Sequence, residues 1–131
     1  MKYLLLLYGD ERRWENLTPE EAEESVKVWS EFGRKLLEAG VYVAGEGLQP
    51  TTAATTVRIK DDEVVHTDGP FAETREQLGG YYLLDCRDLD EALGWAARIP
   101  GARHGAIEVR PVMDYEAVGG HEDVHSREVA R

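Results

Sequence analysis

Twice in this chain an apolar strand pattern is followed by an amphipathic helix and then by another strand pattern, with a threonine- and valine-rich hairpin between the two halves. That alternation leaves few folds open. Residues 3–8 (Tyr3, four leucines, Tyr8) are apolar on both faces, the mark of a strand inside a sheet rather than at its edge. After a polar loop over residues 10–16 the first helix begins. Thr18 stands at the N-cap, Pro19 follows at the first helical position, and Glu21 completes a capping box. The helix is expected to run to about Ala39 and stop at Gly40. Ala22, Val26, Trp29, Gly33, Leu36 and Leu37 recur at helical spacing, widened by Val28 and Phe32.

The second strand is expected over residues 41–44, interrupted by Gly45-Glu46-Gly47. Residues 51–60 and 63–67 form a hairpin turning at Asp61-Asp62. Asp68-Gly69-Pro70 breaks that pattern with turn chemistry, and residues 72–78 suggest one helical turn. A strand follows over 81–86. The second helix has Asp88 as N-cap and ends at Pro100-Gly101, and a last strand spans 106–113. In that last strand Ile107 and Val109 alternate with Glu108 and Arg110, so one face is solvated. Residues 114–131 are polar without a period, a tail or an arm.

Without its hairpin the order is βαβ-βαβ. This predicts an α+β fold: a ferredoxin-like split βαβ domain over residues 1–113 with an antiparallel sheet and an inserted β-hairpin. Helices cover one face of such a sheet. The other face is apolar enough to need cover, which predicts a homodimer whose two sheets form an α/β barrel.

The net charge of −11 repels phosphate backbones and anionic membranes, so nucleic-acid and membrane partners are not expected. It leaves a basic protein partner or a cationic small molecule open. The single cysteine, Cys86, cannot close an internal disulfide, and the apolar run at the N-terminus is too short to span a bilayer. Both fit a soluble cytoplasmic chain.

The candidate chemistry clusters at glycine-rich breaks. His66 and Asp68, two apart in an extended segment, share a face. An imidazole beside a carboxylate is a general base with its orientation held. Equally, Asp68 serves to hold the Gly69-Pro70 turn. Glu46 lies between two glycines, where a ligand or another chain can approach the backbone; a sheet bulge explains the same residues. Arg75 suits a carboxylate clamp, or a solvated surface. Tyr82 suits a pocket wall with a polar tip, or plain packing. The expected site is a cavity between sheet and helix lined by Glu46, His66, Asp68 and Tyr82, working by acid/base chemistry without a cofactor. His121 and His125 have helical spacing but no core to hold a metal between them, so no metal site is expected.

Thr67-Asp68-Gly69-Pro70-Phe71 resembles the signature of the YCII-related family, in particular its DGPF subgroup. Gly45-Glu46-Gly47-Leu48, Glu76-Gln77-Leu78-Gly79-Gly80-Tyr81-Tyr82, Asp88-Leu89-Asp90-Glu91-Ala92 and Glu108-Val109-Arg110-Pro111-Val112 extend the resemblance over residues 1–113. It implies a dimeric α/β-barrel fold. It also implies a His/Asp pair with the histidine on the first helix. Here that helix carries Trp29 in the matching region and no histidine, and Glu38 stands near the aspartate's place. The resemblance further implies an association with extracytoplasmic-function sigma factors, which makes a regulatory protein-binding module the alternative function.

Overall fold

A computed structural model describes residues 1–119 of the chain. Six strands and four helices follow in the order β1 (Lys2–Gly9), α1 (Arg12–Glu15), α2 (Pro19–Glu38), β2 (Tyr42–Gly47), β3 (Thr55–Lys60), β4 (Glu63–Asp68), β5 (Gln77–Asp85), α3 (Leu89–Arg98), β6 (Gly105–Pro111) and α4 (Tyr115–Gly119). Four strands make an antiparallel sheet in the order β2-β5-β1-β6. β1 therefore lies inside the sheet, as its doubly apolar sequence requires. The fold is α+β and ferredoxin-like. The β3–β4 hairpin forms a separate two-stranded ribbon.

Local signals set the helix starts. The Thr18 hydroxyl accepts from the Glu21 amide at 3.1 Å, and the Glu21 carboxylate accepts from the Thr18 amide at 3.1 Å. Asp88 caps α3 through the Glu91 amide at 2.9 Å, and the Glu91 side chain reaches back to the Arg87 amide. The hairpin turn places Asp61 and Asp62 at φ of 50° and 65°. Left-handed backbone at both positions matches the twist of the two strands it joins.

The helices cover one face of the sheet. Tyr3 and Leu5 of β1 and Leu84 of β5 are buried against Phe32 and Leu36 of α2 and Ala92 and Ala96 of α3, with Val41, Cys86 and Ile99 filling the margins. Phe32 sits at the centre. Its ring meets Tyr82 at 5.6 Å and Trp95 at 6.2 Å, both edge to face, the arrangement that ring quadrupoles favour. Strand alternation sends Leu4, Leu6, Tyr81 and Leu83 to the opposite face, where they are partly buried.

Several expectations are corrected. The buried stripe of α2 is narrower than its apolar pattern: Phe32 and Leu36 are buried, while Ala22, Val26 and Leu37 are exposed. Residues 72–78 form no helical turn. β5 begins at Gln77, because Gln77 pairs with Gly9 and Leu78 with Tyr8 beyond a bulge at Leu7/Tyr8. Residues 51–53 form a 3₁₀ turn ahead of β3, and α1 occupies part of the expected loop. Gly45-Glu46-Gly47 does not interrupt β2. The strand runs through it, and the irregularity falls earlier, between Tyr42 and Ala44. The expected polar tail opens with α4, and its remainder lies outside the described residues.

Candidate functional site

The turn at Asp68-Gly69-Pro70 is built by backbone geometry. Gly69 sits at φ 104°, where a β-carbon would be strained. Its amide donates to the Ala54 carbonyl at 2.8 Å, and its carbonyl accepts from the Thr56 hydroxyl at 2.8 Å. Gly69 and Thr56 hold the turn, in the role considered for Asp68. The Asp68 side chain is exposed at the end of β4.

Beyond the turn, three distant segments are tied together by side chains. The Glu11 carboxylate, in the loop after β1, accepts from the Thr51 amide at 3.0 Å and the Thr51 hydroxyl at 2.5 Å. The Glu11 amide donates to the Gln77 side-chain oxygen at 3.0 Å. The Gln77 amide nitrogen donates to the Thr74 carbonyl at 2.7 Å. These bonds are partly buried or terminate in a loop, and together they join the 3₁₀ turn at 51–53, the loop after β1 and the loop before β5.

A cleft of about 370 Å³ opens over this linkage. Thr51 and Thr52 form one wall; Gly69, Pro70, Ala72, Glu73 and Thr74 form the other, with Gln77 between them. Hydroxyls, one carboxylate and one amide thus converge on a small concave space, the composition that fixes a polar ligand's orientation. A second concavity of about 420 Å³ lies on α2 beside Arg98 and Pro100. Its walls are chiefly charged helix side chains of both signs (Glu24, Lys27, Glu31 and Lys35 among them), over Val28 and Phe32. None of Glu46, His66, Asp68, Arg75 and Tyr82 lines it.

The residues singled out in the sequence are dispersed. Glu46 pairs with Tyr81, and Gly45 pairs with Tyr82. Glu46 therefore projects from the face opposite α2, while Tyr82 lies beneath α2 against Phe32. A single cavity between sheet and helix shared by Glu46 and Tyr82 is excluded by this one-residue offset. Burial raises the Tyr82 phenol's pKa above its ordinary value, helped by Tyr42. His66 is exposed on the ribbon, opposite Val57. Arg75 is exposed on the loop, next to Thr74 but outside the cleft lining. Asp68 adjoins the cleft through Gly69. Of the two glycines beside Glu46, Gly45 admits the chain's own neighbouring strand, whereas a β-carbon on Gly47 would meet nothing within 4 Å. A β-carbon on Gly45 would stand 2.7 Å from the Tyr82 ring, and one on Gly80 would stand 2.8 Å from the Glu46 carbonyl.

Nothing in the sequence signalled that Glu11, Thr51 and Gln77 meet, although Gln77 lies in one of the stretches that carry the family resemblance. Their contacts span 40 and 66 residues, and their segments read locally as a loop for Glu11, a hairpin strand for Thr51 and a helical turn for Gln77. Among the described residues no three His, Cys, Asp or Glu side chains gather as a metal site would need, and His121 and His125 lie outside them. No described helix is long and apolar enough to cross a membrane.

A curated protein is similar to this chain over most of its length. An uncharacterised protein, R00369, of Rhizobium meliloti (strain 1021) is 44% identical over 118 residues, covering 88% of this chain and 95% of that protein. The family model for the YCII-related domain matches residues 1–116. The chain belongs to the YCII-related family.

Proposed function

We propose that this protein is a homodimer that binds a small polar molecule in the cleft between residues 51–53 and the loop 69–77. The carrying observation is the Glu11–Thr51–Gln77 linkage, which fixes a cleft of threonine hydroxyls and the Glu73 carboxylate. Such a network is a pre-organised polar wall, and pre-organisation lowers the cost of binding. In the enzyme form of this reading, Asp68 and His66 act as acid and base at the cleft's margin, without a cofactor. The homodimer closes the sheet face opposite α2 and α3, where Leu4, Leu6, Tyr81 and Leu83 form an apolar strip between Glu46 on β2 and Glu108 and Arg110 on β6. The Asp68–Phe71 signature supports the finer placement in the DGPF subgroup.

The test is a thermal-shift screen of small amino acids, hydroxy acids, amines and sugars against the wild type and Ala72→Trp, which fills the cleft. A compound present at one hundred times its Kd stabilises the folded state by about 2.7 kcal/mol. The reading requires at least one compound that stabilises the wild type and leaves Ala72→Trp unmoved. If stabilisation persists in the filled variant, or no class of compound stabilises the wild type, the cleft is not a binding site.

The regulatory alternative rests on the net charge of −11. Capture of a basic protein with steep salt dependence would favour it.

A further inference from the structure

We infer that the cleft between residues 51–53 and the loop 69–77 selects a small protonated amine that carries hydroxyls, and rejects anions of the same size. This inference rests on the cleft proposed above as a binding site and names what it takes. The first ground is the direction of its hydrogen bonds. The Thr51 hydroxyl donates its hydrogen to the Glu11 carboxylate, and the Thr74 hydroxyl donates its own to the Glu76 carbonyl. An ionised carboxylate and a carbonyl can only accept, so neither direction can reverse. Toward the cleft both hydroxyl oxygens are left with lone pairs. The Glu73 carboxylate, also in the lining, is an acceptor too and has no hydrogen-bond or ion-pair partner among the described residues. Gln77 accepts from the Glu11 amide and donates to the Thr74 carbonyl. Pro70 has no N–H, and the Gly69 amide is engaged by the Ala54 carbonyl. Among the lining side chains, the donors left are the Thr52 hydroxyl and the second Gln77 N–H. The side-chain wall accepts more than it donates, so its ligand has to bring the hydrogens.

The second ground is charge. Glu73 is the one ionisable residue in the lining. The Glu11 carboxylate behind Thr51 is met by an amide and a hydroxyl, neutral donors that leave its charge uncancelled. The cations of the adjoining segments are engaged elsewhere or stand aside: Arg12 pairs with Asp10, Arg58 stacks on Phe71, and Arg75 lies outside the lining. The cleft thus favours a cation and disfavours an anion, and the chain's net charge of −11 acts in the same sense. An ammonium group offers three donors on one positive centre, which answers both grounds. Its hydrogen bond to the Glu73 carboxylate is of the short, charge-assisted kind, and hydroxyls beside it can donate to Thr51 and Thr74.

The probes are two matched series: ethanolamine, ethylene glycol and glycolate; and glucamine, sorbitol and gluconate. Within each, one end of the molecule changes from an ammonium to a hydroxyl to a carboxylate. Binding to the full chain is read near neutral pH and at constant ionic strength, from the amide chemical shifts of Thr51, Thr52 and Thr74. The expected result is an amine that binds at least about five-fold more tightly than its hydroxyl counterpart, with the carboxylate weakest. Glu73→Gln should bring the amine to within about two-fold of the alcohol. Glu76→Gln removes the same charge three residues further on, outside the lining, and should change amine binding by less than about two-fold. Equal binding of the three members of a series at these amides, or equal weakening by the two variants, overturns the amine assignment and leaves the cleft a binding site. If no amine moves these amides while another class of compound stabilises the wild type and not Ala72→Trp, the amine assignment fails alone. If that thermal screen is blank as well, the cleft fails with it.

Discussion

The tie between Glu11 and Thr51 allows a quantitative test of how the cleft is held. Glu11→Ala removes the acceptor for both the Thr51 amide and the Thr51 hydroxyl. Hydrogen bonds to a charged group contribute roughly 1.5–3 kcal/mol each when well shielded. Glu11 is half-buried, so water replaces part of the loss, and about 2 kcal/mol in total is expected. Thr51→Val deletes the hydroxyl and keeps the amide bond, costing about 1 kcal/mol. The hydroxyl's value depends on the carboxylate, so the double variant should cost only a few tenths more than Glu11→Ala alone. That implies a coupling of about 1 kcal/mol in a double-mutant cycle. Urea unfolding at one fixed protein concentration provides the assay, with the m-value constant across the four proteins. Coupling below about 0.3 kcal/mol would mean that the two side chains do not act together, and the account of a pre-organised cleft would fail with it.

Gly105→Ala should be severely destabilising, by about 3 kcal/mol, because a β-carbon there would lie 2.0 Å from the Tyr8 carbonyl across β1 and β6. Gly94→Ala on α3, with nothing within 4 Å, should instead stabilise by about 0.5–1 kcal/mol; thermal unfolding of the pair checks both. Phe32→Ala should cost about 3–5 kcal/mol, since the ring is buried between Tyr82 and Trp95. The Arg12 guanidinium holds the Asp10 carboxylate down to about 2 from 3.8. Because the folded value lies below the unfolded one, that contribution is present above about 3.8 and is lost as pH falls through about 2. In a carbon-detected titration, Arg12→Ala should return the Asp10 midpoint toward 3.8. Burial, then the Glu91 and Asp85 charges, push the Cys86 thiol upward. It should react slowly with thiol reagents in the native protein and readily in urea.

What the sequence determined by itself is what neighbouring residues decide. Thr18, Pro19 and Glu21 start α2 because an orphan amide finds its acceptor three residues away. Asp61-Asp62 turns the hairpin because both positions accept left-handed backbone. The doubly apolar β1 has to lie inside a sheet, and with the element order that leaves the ferredoxin-like arrangement. The tertiary structure decided whatever depends on partners far along the chain. Which side of α2 is buried was settled by where Tyr82 and Trp95 meet Phe32, since Val26 and Leu37 carry the same helical period into solvent. Glu46 and Tyr82 parted because pairing register sets faces, and a one-residue offset reverses them. Glu11, Thr51 and Gln77 came together because β1 and β2 end where β5 begins. No local preference encodes a hydrogen bond across 40 or 66 residues; only the assembled sheet brings those side chains within reach.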